Sequence, residues 1–225
     1  MNDFFYWLSK LSAITNLAAF IVGIFLFRNF KYEIKIVFYF VAFGIFTETF
    51  SRLFLHFVMK NAMPIGHFYF PVAFLLAGWF YFQILKDFIK PVFLIVTIAL
   101  FEVYAIINSV FIQSLFEYAS LEFSIGSILL FMFSVAFFIK VMVDAKITNL
   151  AREPLIWINT AFLVYYTVNF FYHSLYNLRV DASKEVTKIA VQFFFIMNLL
   201  FYFLITIAFL KCRKSSVKKR IKNRV

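Results

Sequence analysis

Seven apolar runs, each about as long as a bilayer is thick, divide the sequence between Phe4 and Leu210. A spanning helix needs about 20 mostly apolar residues, because the hydrocarbon is about 30 Å thick and a helix rises 1.5 Å per residue. The runs are Phe4–Phe27, Ile34–Met59, His67–Leu85, Pro91–Val110, Leu121–Met142, Pro154–Tyr176 and Val186–Leu210. They are continuous rather than alternating, which excludes the strands of a membrane barrel. The breaks between them carry helix-ending signals: Arg28-Asn29, the stretch from Asn61 to Gly66 with Pro64, Lys86 to Lys90 before Pro91, and Arg152-Glu153 before Pro154. Pro91 and Pro154 fall at first turns, where a missing N–H costs nothing. The expected fold is all-α: a polytopic bundle of seven transmembrane helices over residues 1–210, followed by a basic tail over residues 211–225.

Hydrophobic residues make up 64% of the chain and charged residues 15%, against about 45–50% and about 25% in soluble domains. A soluble core of 225 residues has no room for that surplus. The net charge of +11 would suggest nucleic acid if it formed one face of a folded domain, but the basic residues lie mostly between the apolar runs. They therefore report orientation, since loops rich in Lys and Arg stay cytoplasmic. Sixteen of the 22 Lys and Arg follow spans one, three, five and seven, and five lie on the other side. That predicts the N-terminus outside and the C-terminus inside. The first run starts with no basic leader, so it is expected to be a retained span. The tail, with Lys211, Arg213, Lys214, Lys218, Lys219, Arg220, Lys222 and Arg224, suits anionic lipid headgroups, at about 1 kcal/mol per basic residue near the surface. The connections are too short for a soluble domain, so any output is expected to pass to a cytoplasmic partner. The single cysteine, Cys212, forms no internal disulfide and no thiolate metal site.

Ionisable groups inside a span cost at least about 2.5–3.5 kcal/mol near the bilayer centre, so each needs a partner or a purpose. Glu48, Arg52 and His56 in span two stand at i, i+4 and i+8, which lines them along one stripe. Span four contributes Glu102, expected to face Arg52 as a second carboxylate. Tyr165, Asn169 and His173 repeat the same spacing in span six. Together Glu48, Arg52, Glu102, Tyr165 and Asn169 form the expected intramembrane polar cluster; Asn16 and Asn198 add amides near mid-depth, and Asn159 adds one in the otherwise apolar inner half. His56, His67 and His173 with Tyr69 fall at the expected outer rim, as pH sensors or, less specifically, as zinc ligands. No pair of histidines has the spacing of a helical metal motif. Pro71, one turn inside a helix starting at His67, is expected to kink it. No catalytic residue is indicated.

Seven spans with an external N-terminus suggest a retinal protein, but the required lysine deep in span seven is absent, Lys188 being only at its start. An offset of 117 residues carries spans one, two and three onto five, six and seven, the three-plus-one-plus-three plan of SWEET-type sugar transporters. The seven-span zinc hydrolases related to ceramidases use three histidines with a paired H-x-x-x-H, which is missing here.

Gly66-His67-Phe68-Tyr69-Phe70-Pro71, Glu153-Pro154-Leu155-Ile156-Trp157-Ile158-Asn159-Thr160 and Leu163-Val164-Tyr165-Tyr166 resemble motifs of small seven-span proteins of Bacteroidetes-type bacteria, often encoded near signalling histidine kinases. The Phe, Ile, Lys and Asn bias fits such a genome. The resemblance implies a multi-pass protein of the bacterial inner membrane and no particular reaction. The expected role is a receptor-like or sensory subunit with an outward-facing polar pocket, Glu48 and Arg52 forming a switchable ion pair. A small-solute or proton-coupled transporter and a membrane-embedded metal-dependent hydrolase are the alternatives.

Overall fold

The computed structural model describes residues 3–57, 61–145, 149–176 and 184–222, the side chains of 3–6, 9, 184 and 213–222 excepted. Seven long helices form it: α1 (Asp3–Leu26), α2 (Tyr32–Phe57), α3 (Met63–Leu85), α4 (Pro91–Ile107), α5 (Ser120–Asp144), α6 (Pro154–Ser174) and α7 (Lys184–Lys222). All seven hold stretches long and apolar enough to cross a membrane. Met59, Lys60, Lys146, Arg179 and Arg224 lie outside the described residues, as do the side chains of the tail from Arg213 onward.

Pro91 and Pro154 open α4 and α6, where ring and missing N–H suit a first turn. The α5 helix ends on Ala145 in the left-handed region at φ 46°. Three boundaries depart from expectation. The α3 helix starts four residues before His67 and runs continuously through Pro71, because Pro64 supplies an earlier first turn. The α4 helix passes into a π-helical turn over Asn108–Ile112. The tail is no separate segment: α7 continues to Lys222 and is 39 residues long, about 58 Å at 1.5 Å per residue.

The helices pack in the order α1, α2, α3, α5, α6, α7 and back to α1, while α4 leans from outside on α3 and, more lightly, on α5. The ring is closed by close approaches at small residues. At Gly126, a Cβ would collide with the Phe70 ring, and at Gly23 with the Phe38 ring. At the end carrying the basic connections, α1 and α2 are joined by stacking of Phe20 on Phe38 at 5.7 Å and by Phe27 edge-on to Phe38 at 5.1 Å. About midway through the bundle, the Phe162 ring lies 5.4 Å from Phe40, 5.7 Å from Phe80 and 5.4 Å from Phe201. Rings from α2, α3, α6 and α7 thus fill the centre. Beside this layer, Tyr81 Oη donates to Asn159 Oδ1 at 2.9 Å, and Asn159 Nδ2 donates to the Ser134 carbonyl at 3.0 Å. Asn159, a polar residue in an apolar half, is thereby satisfied within the core.

Candidate functional site

Above the aromatic layer, at the end opposite the basic connections, lies a cavity of about 590 Å³. All six ring helices line it and α4 does not. Ser12 and Asn16 come from α1, Gly44, Thr47, Glu48 and Ser51 from α2, Gly66 and Tyr69 from α3, Phe123 from α5, Tyr165, Asn169 and His173 from α6, and Asn198 and Tyr202 from α7. The loop residue Tyr118 completes the wall. Its size falls within the range of small-molecule sites, about 300–1,000 Å³.

Glu48 is the one Asp, Glu, Lys or Arg among the described lining residues. Its Oε1 accepts from Arg52 at 2.5 Å, and its Oε2 from Asn16 Nδ2 at 3.3 Å. The expected ion pair is therefore present. It lies at the margin of the bundle, with side-chain exposures of 42% for Glu48 and 67% for Arg52. Along α2 the buried residues run from Ile34 to Gly44 and stop there. The outer half of this helix is at most partly buried: Thr47, Glu48, Ser51 and Leu55 line the cavity, and the Asn16–Glu48 hydrogen bond joins it to α1.

The α6 stripe is held differently. Asn169 Nδ2 donates to the Tyr165 carbonyl at 2.7 Å, and its Oδ1 faces His173 Nε2 at 3.0 Å. A carbonyl only accepts, so the amide orientation follows, and Nε2 carries the proton. His173 Nδ1 then meets the Tyr118 hydroxyl at 2.5 Å. The Tyr69 ring, from α3, stacks on Phe43 at 5.7 Å, and the Tyr202 hydroxyl crosses close to Gly44. Glu48, Tyr165 and Asn169 of the expected cluster and Tyr69 and His173 of the expected rim all line this cavity.

Glu102, His56 and His67 are not among them. Glu102 was expected to share Arg52, but α4 lies outside the ring, and the Glu102 carboxyl lies near that of Glu122. His56 is exposed in the last turn of α2, with its ring edge-on to Phe57. His67 is buried in the crevice between α3, α4 and α5. Its Nε2 faces the Glu117 carbonyl at 3.2 Å and its Nδ1 faces Ser109 Oγ at 2.9 Å. The zinc reading of the three histidines is corrected by this geometry: they occupy three separate environments, and no group of three His, Cys, Asp or Glu among the described residues is placed to hold a metal ion. The hydrolase alternative loses its ligand set.

The crevice around His67 is a second polar centre that sequence reasoning missed. Glu122, 0% exposed, accepts from Ser109 Oγ at 3.4 Å and has an Oε2 3.7 Å from His67 Nδ1. Asn108 donates to Gln113 at 3.1 Å within the same crevice. Glu122 sits in the first turn of α5, where an acidic residue ordinarily complements the helix dipole, so nothing in the pattern marks it as buried. The π-helical turn that points Ser109 inward has no sequence signal either.

No family model, curated protein or solved structure matches this chain. The fold and the site define a multi-pass helical membrane protein with a polar cavity inside a six-helix ring.

Proposed function

We propose that the protein is a receptor-like or sensory subunit of the bacterial inner membrane, with the cavity facing outward and the tail in the cytoplasm. The observation that carries this reading is the cavity itself: one small ligand would touch all six ring helices above a filled aromatic floor. A ligand that contacts every ring helix biases their relative positions, which is how binding free energy becomes a conformational shift. The outer half of α2, lightly packed and carrying the Glu48–Arg52 pair, is the element with most freedom to respond. At the opposite end, Glu33, Lys86, Lys140 and Asp144 line a charged crevice of about 560 Å³, and α7 extends beyond it. These surfaces suit docking of a cytoplasmic signalling partner.

A transporter is the second reading, favoured by one observation. The neighbour relations α1–α2–α3 and α5–α6–α7 repeat, as do the joins α3–α5 and α7–α1. This arrangement puts the two polar stripes, on α2 and α6, at opposite positions of the ring. Transport requires both ends to open in turn.

Cysteine labelling separates the two. In a Cys212→Ser background, Ser51→Cys and Asn198→Cys probe the cavity, and a membrane-impermeant thiol reagent is applied to each face of sealed vesicles. The receptor reading expects both positions to react from the face opposite the basic tail alone. Reaction from both faces establishes the transporter, and failure to react from either face removes the cavity as a ligand site.

A further inference from the structure

We infer that the cavity's ligand is an organic ammonium, a protonated amine carrying a small apolar or aromatic body. This deepens, and rests on, the reading of the cavity as a ligand site.

Two acceptors, Asn16 Oδ1 and the Glu48 carboxylate, belong to neighbouring residues of the cavity lining. Asn16 is 5% exposed, and its Nδ2 donates to Glu48 Oε2. A carboxylate accepts, so the amide nitrogen must face it, and the amide oxygen is turned the other way. That oxygen, Asn16 Oδ1, is buried with no hydrogen-bond partner. A buried acceptor left unsatisfied costs about 1–3 kcal/mol, and a donor in the adjoining cavity removes that cost. Glu48 supplies the charge beside it. No Lys or Arg is among the described lining residues. A carboxylate or halide ligand brings no donor to this wall, and a phosphate sets its negative charge against Glu48. An alcohol brings a donor without the charge. An ammonium brings N–H donors for Asn16 Oδ1 and a positive charge for Glu48.

The rest of the lining suits the same chemistry. Tyr69, Tyr165 and Tyr202, with Phe123 and Phe194, line the cavity, and aromatic rings attract cations and pack against an apolar body. Arg52 is the counter-ion that an ammonium would replace at Glu48. It reaches Glu48 from outside the lining and is mostly exposed, so it is free to turn toward the membrane surface when displaced. Ligand binding thus exchanges one counter-ion of Glu48 for another and releases α2 from its own ion pair.

A free amine and the amine headgroup of phosphatidylethanolamine share this chemistry. The test uses the full chain in nanodiscs of phosphatidylcholine, titrated calorimetrically at pH 7 with benzylamine, benzyl alcohol and benzoate, three probes with one ring and different heads. Benzylamine is expected to bind at least about tenfold more tightly than the other two. Glu48→Gln should weaken it by about tenfold or more, in line with loss of a charge-assisted hydrogen bond. Asn16→Leu should weaken it by a smaller factor. Arg52→Leu should tighten it, because a competitor is gone. The reverse pattern, benzoate preferred and binding lost in Arg52→Leu, overturns the inference, and so does benzylamine binding indifferent to Glu48→Gln. If Glu48→Gln fails to fold, the opposite signs expected for Asn16→Leu and Arg52→Leu decide. Repeating the titration with phosphatidylethanolamine in the discs identifies the source: weakened benzylamine binding points to the lipid, unchanged binding to a free amine, and both keep the ammonium. Labelling of Ser51→Cys and Asn198→Cys from one face with no amine binding rejects the ammonium and leaves the receptor reading standing, whereas absence of labelling rejects the receptor reading itself.

Discussion

Two polar stripes of identical spacing, Glu48–Arg52–His56 on α2 and Tyr165–Asn169–His173 on α6, sit in unlike surroundings. The α6 stripe is clasped by α5 and α7, and buried residues run along that helix from Ile158 to His173. The α2 stripe begins where burial ends, at Gly44. On α6 the Asn169 and His173 side chains are buried, and His173 meets Tyr118 outside its own helix. On α2 Glu48 and Arg52 pair with each other at the margin, and Glu48 accepts from Asn16 of α1. The same i, i+4, i+8 pattern therefore gives a buried surface in one helix and a half-exposed one in the other, the difference lying in what packs alongside.

Four measurements test that contrast, taken from the largest expected effect to the smallest. Phe162→Ala, at the hub between the two stripes, should destabilise the protein by about 3–5 kcal/mol in denaturant titrations, the usual range for deleting a buried phenyl ring. A loss below 1 kcal/mol would mean that the floor is not packed as described. Asn169→Leu on the buried wall should cost about 1–3 kcal/mol, because the Tyr165 carbonyl loses its added donor and His173 Nε2 its acceptor. On the half-exposed side, Glu48→Ala alone should be less stable than Glu48→Ala combined with Arg52→Leu by no more than about 1 kcal/mol, since Arg52 is mostly exposed and an exposed ion pair is worth little. A larger gap would show that Arg52 does not reach water or headgroups once its partner is gone, and that the pair does not exchange. His56→Ala should change stability by no more than about 0.5 kcal/mol, whereas an effect matching that of Asn169→Leu would place the outer half of α2 against a partner.

Much of the frame is legible residue by residue. Pro91 and Pro154 mark helix starts to the residue, and Glu48, Tyr165, Asn169 and His173 are drawn into one cavity from two stripes. The failures share a cause. Glu102 has the right depth to meet Arg52 yet belongs to the one helix outside the ring. Glu122 has the position of an ordinary helix-start acid yet is wholly buried. The three histidines have a common level and no common centre. Depth follows from counting along a helix, but meeting requires knowledge of which helix stands beside which and how each is rotated.

The sequence by itself determines seven spans and the rough levels of their polar groups, because the thickness of the hydrocarbon and the need to satisfy every backbone N–H and C=O within each segment leave a single solution. The order of the ring, the exclusion of α4, the separation of the second polar centre and the loose outer half of α2 are decided by tertiary packing. Lipid is as apolar as the side chains it touches, so it exerts almost no preference over which helix faces meet. Only the mutual fit of rings and glycines, Phe70 on Gly126 and Phe38 on Gly23 among them, selects one arrangement.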